Sequence, residues 1–184
     1  MKFHPTTLNG LWRIELEPRE DERGFLARTF CEAEFAAHGL NTRWPQANLT
    51  RTHRRGSIRG LHWQAEPRPE VKLIRCVRGA IWDVLVDVRP ASPTCGRWEA
   101  FELTADGRDQ LYVPAGFAHG FQCVEAESEV SYLMGDSYVA ELSRGLRWND
   151  PHVGIRWPLL PTVLSPRDAT LPLWAELPTE GHVG

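Results

Sequence analysis

Cysteine is scarce in this sequence and none of it is paired by spacing. The 184 residues include four, Cys31, Cys76, Cys95 and Cys123. Without a C-x-x-C pair or a dense framework, they argue against a disulfide scaffold or a structural zinc site. Long apolar runs are missing as well, so nothing reads as a membrane span. The opening Met1-Lys2-Phe3-His4-Pro5-Thr6 lacks the apolar stretch of a secretory signal. The expectation is a cytoplasmic protein with no membrane partner. A strong charge of either sign is also absent. The formal net charge is −3, which gives no sign of a nucleic-acid-binding surface. That mild acidity still leaves room for anionic ligands at local basic clusters. Internal repeats and low-complexity segments are lacking, and helix is scarce. The length fits one domain over residues 1–184.

What the sequence does have is strand alternation. Along Ile81–Val88, Trp82, Val84, Val86 and Val88 form one apolar row, with Asp83 and Asp87 on the other side beside Ile81 and Leu85. Lys72–Val77 precedes it as another strand, with Arg78-Gly79-Ala80 as the turn between them. Further short strands are expected at 10–16, 24–30, 98–103, 110–113, 121–124 and 129–134. Many short strands with frequent turn signals imply an all-β sandwich or barrel. Two short helices complete the pattern. One spans Glu32–His38 and is closed by Gly39; the other starts near Ser165, with Ser at the N-cap and Pro166 at the first position. The tryptophans, 8 against 7 Phe and 3 Tyr, read as core or interface anchors. From Trp157 the chain is rich in Pro, Leu and Trp and is expected to wrap the barrel.

Five places carry residues suited to chemistry. Arg59-Gly60-Leu61-His62-Trp63-Gln64 sets a histidine near an arginine of opposite strand parity. Both face one cavity only if Gly60 supplies a bulge. Pro114-Ala115-Gly116-Phe117-Ala118-His119-Gly120-Phe121 has the pattern of the second cupin motif, whose histidine is a metal ligand in metal-binding cupins. The first motif would then be His62-Trp63-Gln64, with one histidine only, a poor set of donors for a metal. Tyr132 lies in an apolar row with Val130 and Met134, as a core residue or as a proton donor in the barrel. Lys72 shares a face with Ile74 and Cys76, so it either snorkels outward or stands inside as a fixed cation. Asp168, in Ser165-Pro166-Arg167-Asp168, is placed either to cap a helix or to hydrogen-bond a distant imidazole.

Taken together these segments resemble the dTDP-4-dehydrorhamnose 3,5-epimerase family of the cupin superfamily. The likeness runs from Asp21-Glu22-Arg23-Gly24-Phe25 through Gln46-Ala47-Asn48 and Arg59–Gln64. It continues in Lys72–Ala80, Asp83–Arg89, Ser92–Gly96, Pro114–Phe121, Tyr132, Gly145–Pro151 and Ser165–Asp168. The resemblance implies a cupin-type jelly roll and inversion of carbon 3 and/or carbon 5 of a nucleoside-diphosphate 4-keto-6-deoxyhexose, without a metal or other cofactor. It implies His62 as the base, Asp168 as its orienting partner, Lys72 at the enolate oxygen and Tyr132 as the acid on the opposite face. Arg23 and Arg59 would bind the diphosphate. Phe25, Gln46, Asn48, Asp83, His119 and Tyr138 would complete the substrate site. The family's homodimer would bring Arg23 and Phe25 to the neighbouring subunit.

The family pattern is interrupted in places. Arg28 stands where a base-contacting glutamate is usual, Ala47 replaces an aspartate, and Leu133 and Val139 replace a lysine and a proline. Two other readings remain beside the epimerase: a non-catalytic or altered-specificity sugar-nucleotide binder, and a metal-dependent cupin oxygenase or isomerase using His62, Gln64 and His119.

Overall fold

A computed structural model describes residues 1–177. It has thirteen strands and two short helices among them. Six strands form one antiparallel sheet: β1 (Lys2–Pro5), β2 (Trp12–Glu15), β10 (Gln110–Val113), β7 (Lys72–Arg78), β12 (Ser128–Met134) and β5 (Gln46–Thr52), in that spatial order. Five more form a second: β13 (Ser143–Gly145), β6 (Ile58–Gln64), β11 (Phe117–Cys123), β8 (Ala80–Asp87) and β9 (Trp98–Thr104). A separate hairpin pairs β3 (Arg19–Asp21) with β4 (Gly24–Leu26). The result is the expected all-β, cupin-type sandwich.

The two sheets share one interior. Ile74, Leu111, Val130 and Met134 from the first meet Ile81, Leu85, Phe117 and Phe121 from the second. Burying each large side chain contributes about 1.5–3 kcal/mol. The outer faces are covered too. Val84, Val86 and Ala118 pack behind the five-stranded sheet with Trp82, Trp98, Trp157 and Trp174. Ile14, Leu73 and Tyr112 pack behind the other sheet, against Phe35 of α1 (Glu32–Ala37). The two rows of β8 therefore separate two apolar cores, not a core from solvent. Asp83 on its inner row is fully buried.

Element boundaries shift modestly from the sequence reading. The strand expected at 24–30 stops at Leu26 and that at 10–16 contracts to Trp12–Glu15. The one expected at 121–124 starts at Phe117, so it includes His119. The helix at Glu32 ends at Ala37, with Gly39 beyond its cap at φ +68°. The helix α2 (Pro166–Ala169) has Ser165 at its N-cap, its side chain accepting from the Asp168 N–H at 3.0 Å.

Candidate active site

A cavity of about 920 Å³ opens between the sheets. One wall is the inner row of β5, where Gln46, Asn48, Thr50 and Thr52 follow the two-residue period of a strand and line the cavity. The Gln46 side chain donates to Asn48 Oδ1 at 3.3 Å and accepts the Tyr138 N–H at 3.0 Å, which ties these three cavity residues together.

His62 and Arg59 both line the cavity despite their opposite parity, because β6 bulges between them. His62 pairs with His119 and Arg59 with Phe121, so the register against β11 shifts by a residue. Gly60 sits in the bulge at φ +101°, a conformation glycine adopts without steric cost. The Arg59 guanidinium donates to Thr52 Oγ1 at 2.8 Å and to the Arg51 carbonyl at 3.2 Å.

His62 Nε2 lies 2.7 Å from Asp168 Oδ1, and Asp168 Oδ2 accepts the Gly60 N–H at 3.2 Å. Burial pushes the Asp168 carboxyl up. The hydrogen bond and charge of His62, with Gly60 and Ser165, outweigh that and hold it below the usual carboxylate range. An ionised Asp168 fixes the His62 tautomer with the proton on Nε2, so Nδ1 is left as the basic nitrogen.

His119 forms a second such pair, its Nε2 2.5 Å from Asp83 Oδ1. Asp83 stands behind His119, outside the cavity wall, and burial raises its pKa against the pull of His119 and Lys72. Tyr132 is buried in the opposite sheet, edge-on to His119 with ring centroids 5.9 Å apart. Burial first, and the Asp83 charge next, push its phenol far above the ordinary tyrosine value. Lys72 points inward, buried with Glu70 at 2.7 Å from its Nζ.

Gln64 does not fit a metal site. Its Nε2 donates to the Arg68 and Ser137 carbonyls at 2.6 and 3.2 Å, and its Oε1 accepts the Val139 N–H at 2.7 Å. All its polar atoms are committed to backbone. Among the described residues no group of three or more His, Cys, Asp or Glu is placed to hold a metal ion.

Arg23 and Phe25 do not join this cavity within the chain. They sit on the exposed β3–β4 hairpin, where Arg23 pairs with Asp21 and Phe25 lies under Arg108. The sequence reading missed Glu70, which lies in the loop just before β7 and lines the cavity. It also missed Arg167, which lines the cavity and donates to Ser143 Oγ at 2.7 Å.

A basic imidazole on one wall, and a protonated phenol with a buried ammonium on the other, are suited to moving a proton on and off carbon. On a cupin-type sandwich this defines an acid–base isomerase. A family described as dTDP-4-dehydrorhamnose 3,5-epimerase matches residues 5–176, and the chain belongs to that family. A Sinorhizobium fredii protein named dTDP-4-dehydrorhamnose 3,5-epimerase is 45% identical over 166 residues, 89% of this chain and 85% of its own. A dTDP-4-dehydrorhamnose 3-epimerase of Streptomyces niveus is 38% identical over 177 residues, 96% of this chain and 85% of its own. The crystal structure of a Legionella pneumophila dTDP-6-deoxy-D-glucose-3,5-epimerase, in complex with dTDP-4-keto-L-rhamnose, superposes with a TM-score of 0.92 at 34% identity. It covers 97% of this chain and 95% of that one.

Proposed function

We propose that this enzyme converts dTDP-4-dehydro-6-deoxyglucose towards dTDP-4-dehydrorhamnose, inverting carbon 3 and/or carbon 5 through an enolate. His62 Nδ1 removes the proton alpha to the ketone, and the imidazolium so formed is held by Asp168. Negative charge moves to the ketone oxygen, where the Lys72 ammonium receives it. The Tyr132 hydroxyl then gives a proton to the other face of the same carbon. Arg59 and the partner subunit's hairpin, through Arg23, hold the diphosphate, for which a planar guanidinium suits phosphate oxygens.

The observation that carries this reading is the placement of base and acid. His62 belongs to the five-stranded sheet and Tyr132 to the six-stranded sheet, yet both line one cavity. A carbon held between them loses its proton to one wall and regains one from the other, which is what inversion requires. The homodimer is supported by the hairpin: Phe25 and Leu26 are exposed apolar side chains that serve no site of their own chain. A cytoplasmic setting accords with a nucleotide-linked substrate. No helix among the described residues is long and apolar enough to cross a membrane.

Incubation with dTDP-4-keto-6-deoxyglucose in heavy water, followed by NMR, tests the proposal. Deuterium entering at carbons 3 and 5 supports double inversion, and entry at one carbon a single-centre enzyme. No exchange with this or any other nucleotide 4-ketosugar overturns the epimerase reading and leaves a binding protein. Because Arg28 stands where the family pattern has a base-contacting glutamate, the same assay is to be run with other nucleotide-linked 4-ketosugars.

A further inference from the structure

Glu70 is the one carboxylate lining the cavity, among the described residues, that takes no part in the chemistry above. Glu70 Oε1 lies 2.7 Å from Lys72 Nζ, with side chains only 8% and 7% exposed. Its loop, residues 65–71, is tied down at several points. Gln64 donates to the Arg68 carbonyl, the Arg68 guanidinium pairs with Asp136, and the Gly135 N–H donates to the Val71 carbonyl at 2.8 Å. The Glu70 carboxylate is therefore fixed at the cavity wall.

Stability does not account for a buried ion pair of this kind, since desolvating both ions offsets much of their attraction. Geometry gives a better account. A lysine has a flexible four-carbon stem and an ammonium with three donors. A carboxylate that takes one of the three selects one direction for the stem and leaves two donors for another acceptor. Asp83 acts on Lys72 from the opposite sheet, paired with His119, and Tyr132 stands on the neighbouring strand. Among the described residues Glu70 is the only carboxylate within salt-bridge distance of the ammonium.

We propose that Glu70 is a positioning residue for this reaction. It orients the Lys72 ammonium towards the ketone oxygen before substrate arrives, so that little reorganisation is needed when the enolate charge develops. This rests on the epimerase reading for its role, though not for the contact itself.

The composition makes the test clean, because Lys2 and Lys72 are the only lysines in the chain. Protein labelled with carbon-13 at lysine Cε gives two signals. Lys2, exposed and paired with Glu15, serves as an internal control. In the wild type the two Hε protons of Lys72 are expected to be inequivalent, as in an immobilised stem. In Glu70→Gln they merge, while the Lys2 signal and the melting temperature hold. With substrate, kcat for proton exchange falls about tenfold in this variant and KM stays within about twofold, the pattern of a misplaced catalytic group. Glu70→Asp, which keeps the charge on a shorter arm, recovers part of the lost kcat. An unchanged Lys72 signal, an unchanged or raised kcat, or a raised KM with kcat intact overturns the proposal. A wild type that exchanges no proton sinks the epimerase reading instead, and the lysine signals still decide whether Glu70 orients Lys72.

Discussion

His62 and His119 are register partners across β6 and β11, and each gives its Nε2 to a carboxylate from another element, Asp168 at 2.7 Å and Asp83 at 2.5 Å. The two pairs differ in exposure. Both side chains line the cavity, but that of His62 is 37% exposed, whereas that of His119 is 6% exposed and packs against Phe121 and Tyr132. A base must reach its substrate and accept a proton. On the proposed mechanism that residue is His62, the more exposed of the two.

His62→Ala should therefore abolish proton exchange while leaving ligand affinity within about threefold, because the removed group acts on the transition state and not on binding. Exchange by NMR in heavy water, with nucleotide binding by calorimetry, checks both halves. Retained exchange would remove His62 as the base.

Tyr132→Phe should slow inversion more than exchange. With the phenol gone, His62 can still return a proton to the face it came from, so deuterium enters without a change of configuration. Burial raises the pKa of Tyr132, so its phenol holds its proton until a strong acceptor such as the enolate carbon forms. Comparing deuterium incorporation with product formation gives the ratio directly. Equal losses of both would count against Tyr132 as the separate acid.

Asp87 anchors the end of β8, the strand that carries Asp83. Its carboxylate accepts from the Arg89 guanidinium at 2.7 Å, from Ser92 Oγ at 2.5 Å and from Thr94 Oγ1 at 2.6 Å. Burial raises its pKa, but these donors outweigh it, so the folded value lies below the ordinary one. A depressed carboxylate contributes stability above its unfolded pKa, about 3.9, and loses it as pH falls through the folded value. Asp87→Asn should cost roughly 3 kcal/mol at neutral pH, and the gap from wild type should narrow as the pH falls below the ordinary carboxylate value of about 3.9. Denaturant titrations at both pH values measure it. A gap that is constant with pH would assign the loss to packing alone.

Among the central strands β8 and β10 are buried on both faces, while β12 alternates buried with half-buried residues, and these patterns made them legible. The strand β5 was not. Its inner residues Gln46, Asn48, Thr50 and Thr52 face a polar cavity and its outer row is largely exposed, so apolar alternation is lost where the site needs polar walls. Motif and parity singled out His62, Lys72 and Tyr132 with core or solvent readings still open, and the family resemblance gave them their roles; all three line one cavity. The pairing of Asp168 with His62 joins residues 106 apart in sequence, a contact that no periodicity encodes. Glu70 was in plain view, two residues from Lys72, but a glutamate in a loop rich in proline and charge reads as solvated.

The bulge at Gly60 offers a last prediction, because it joins the backbone to the chemistry. A Cβ added there would lie 2.6 Å from both Gly120 Cα and the His119 carbonyl oxygen, and one added at Gly120 would lie 2.7 Å from the Arg59 carbonyl oxygen. These are backbone atoms of a paired strand and cannot rotate aside. Gly60→Ala should separate β6 from β11 at the point where His62 meets His119, with a loss of roughly 3–5 kcal/mol and of measurable turnover. Gly39→Ala is the control. Gly39 also has positive φ, +68°, but a methyl there meets nothing within 4 Å. Backbone strain alone should then cost about 1 kcal/mol and leave kcat unchanged. If both variants lost stability equally, strain and not the close approach of the two strands would explain Gly60. If Gly60→Ala kept full activity, the bulge would not be what brings Arg59 and His62 to the same cavity.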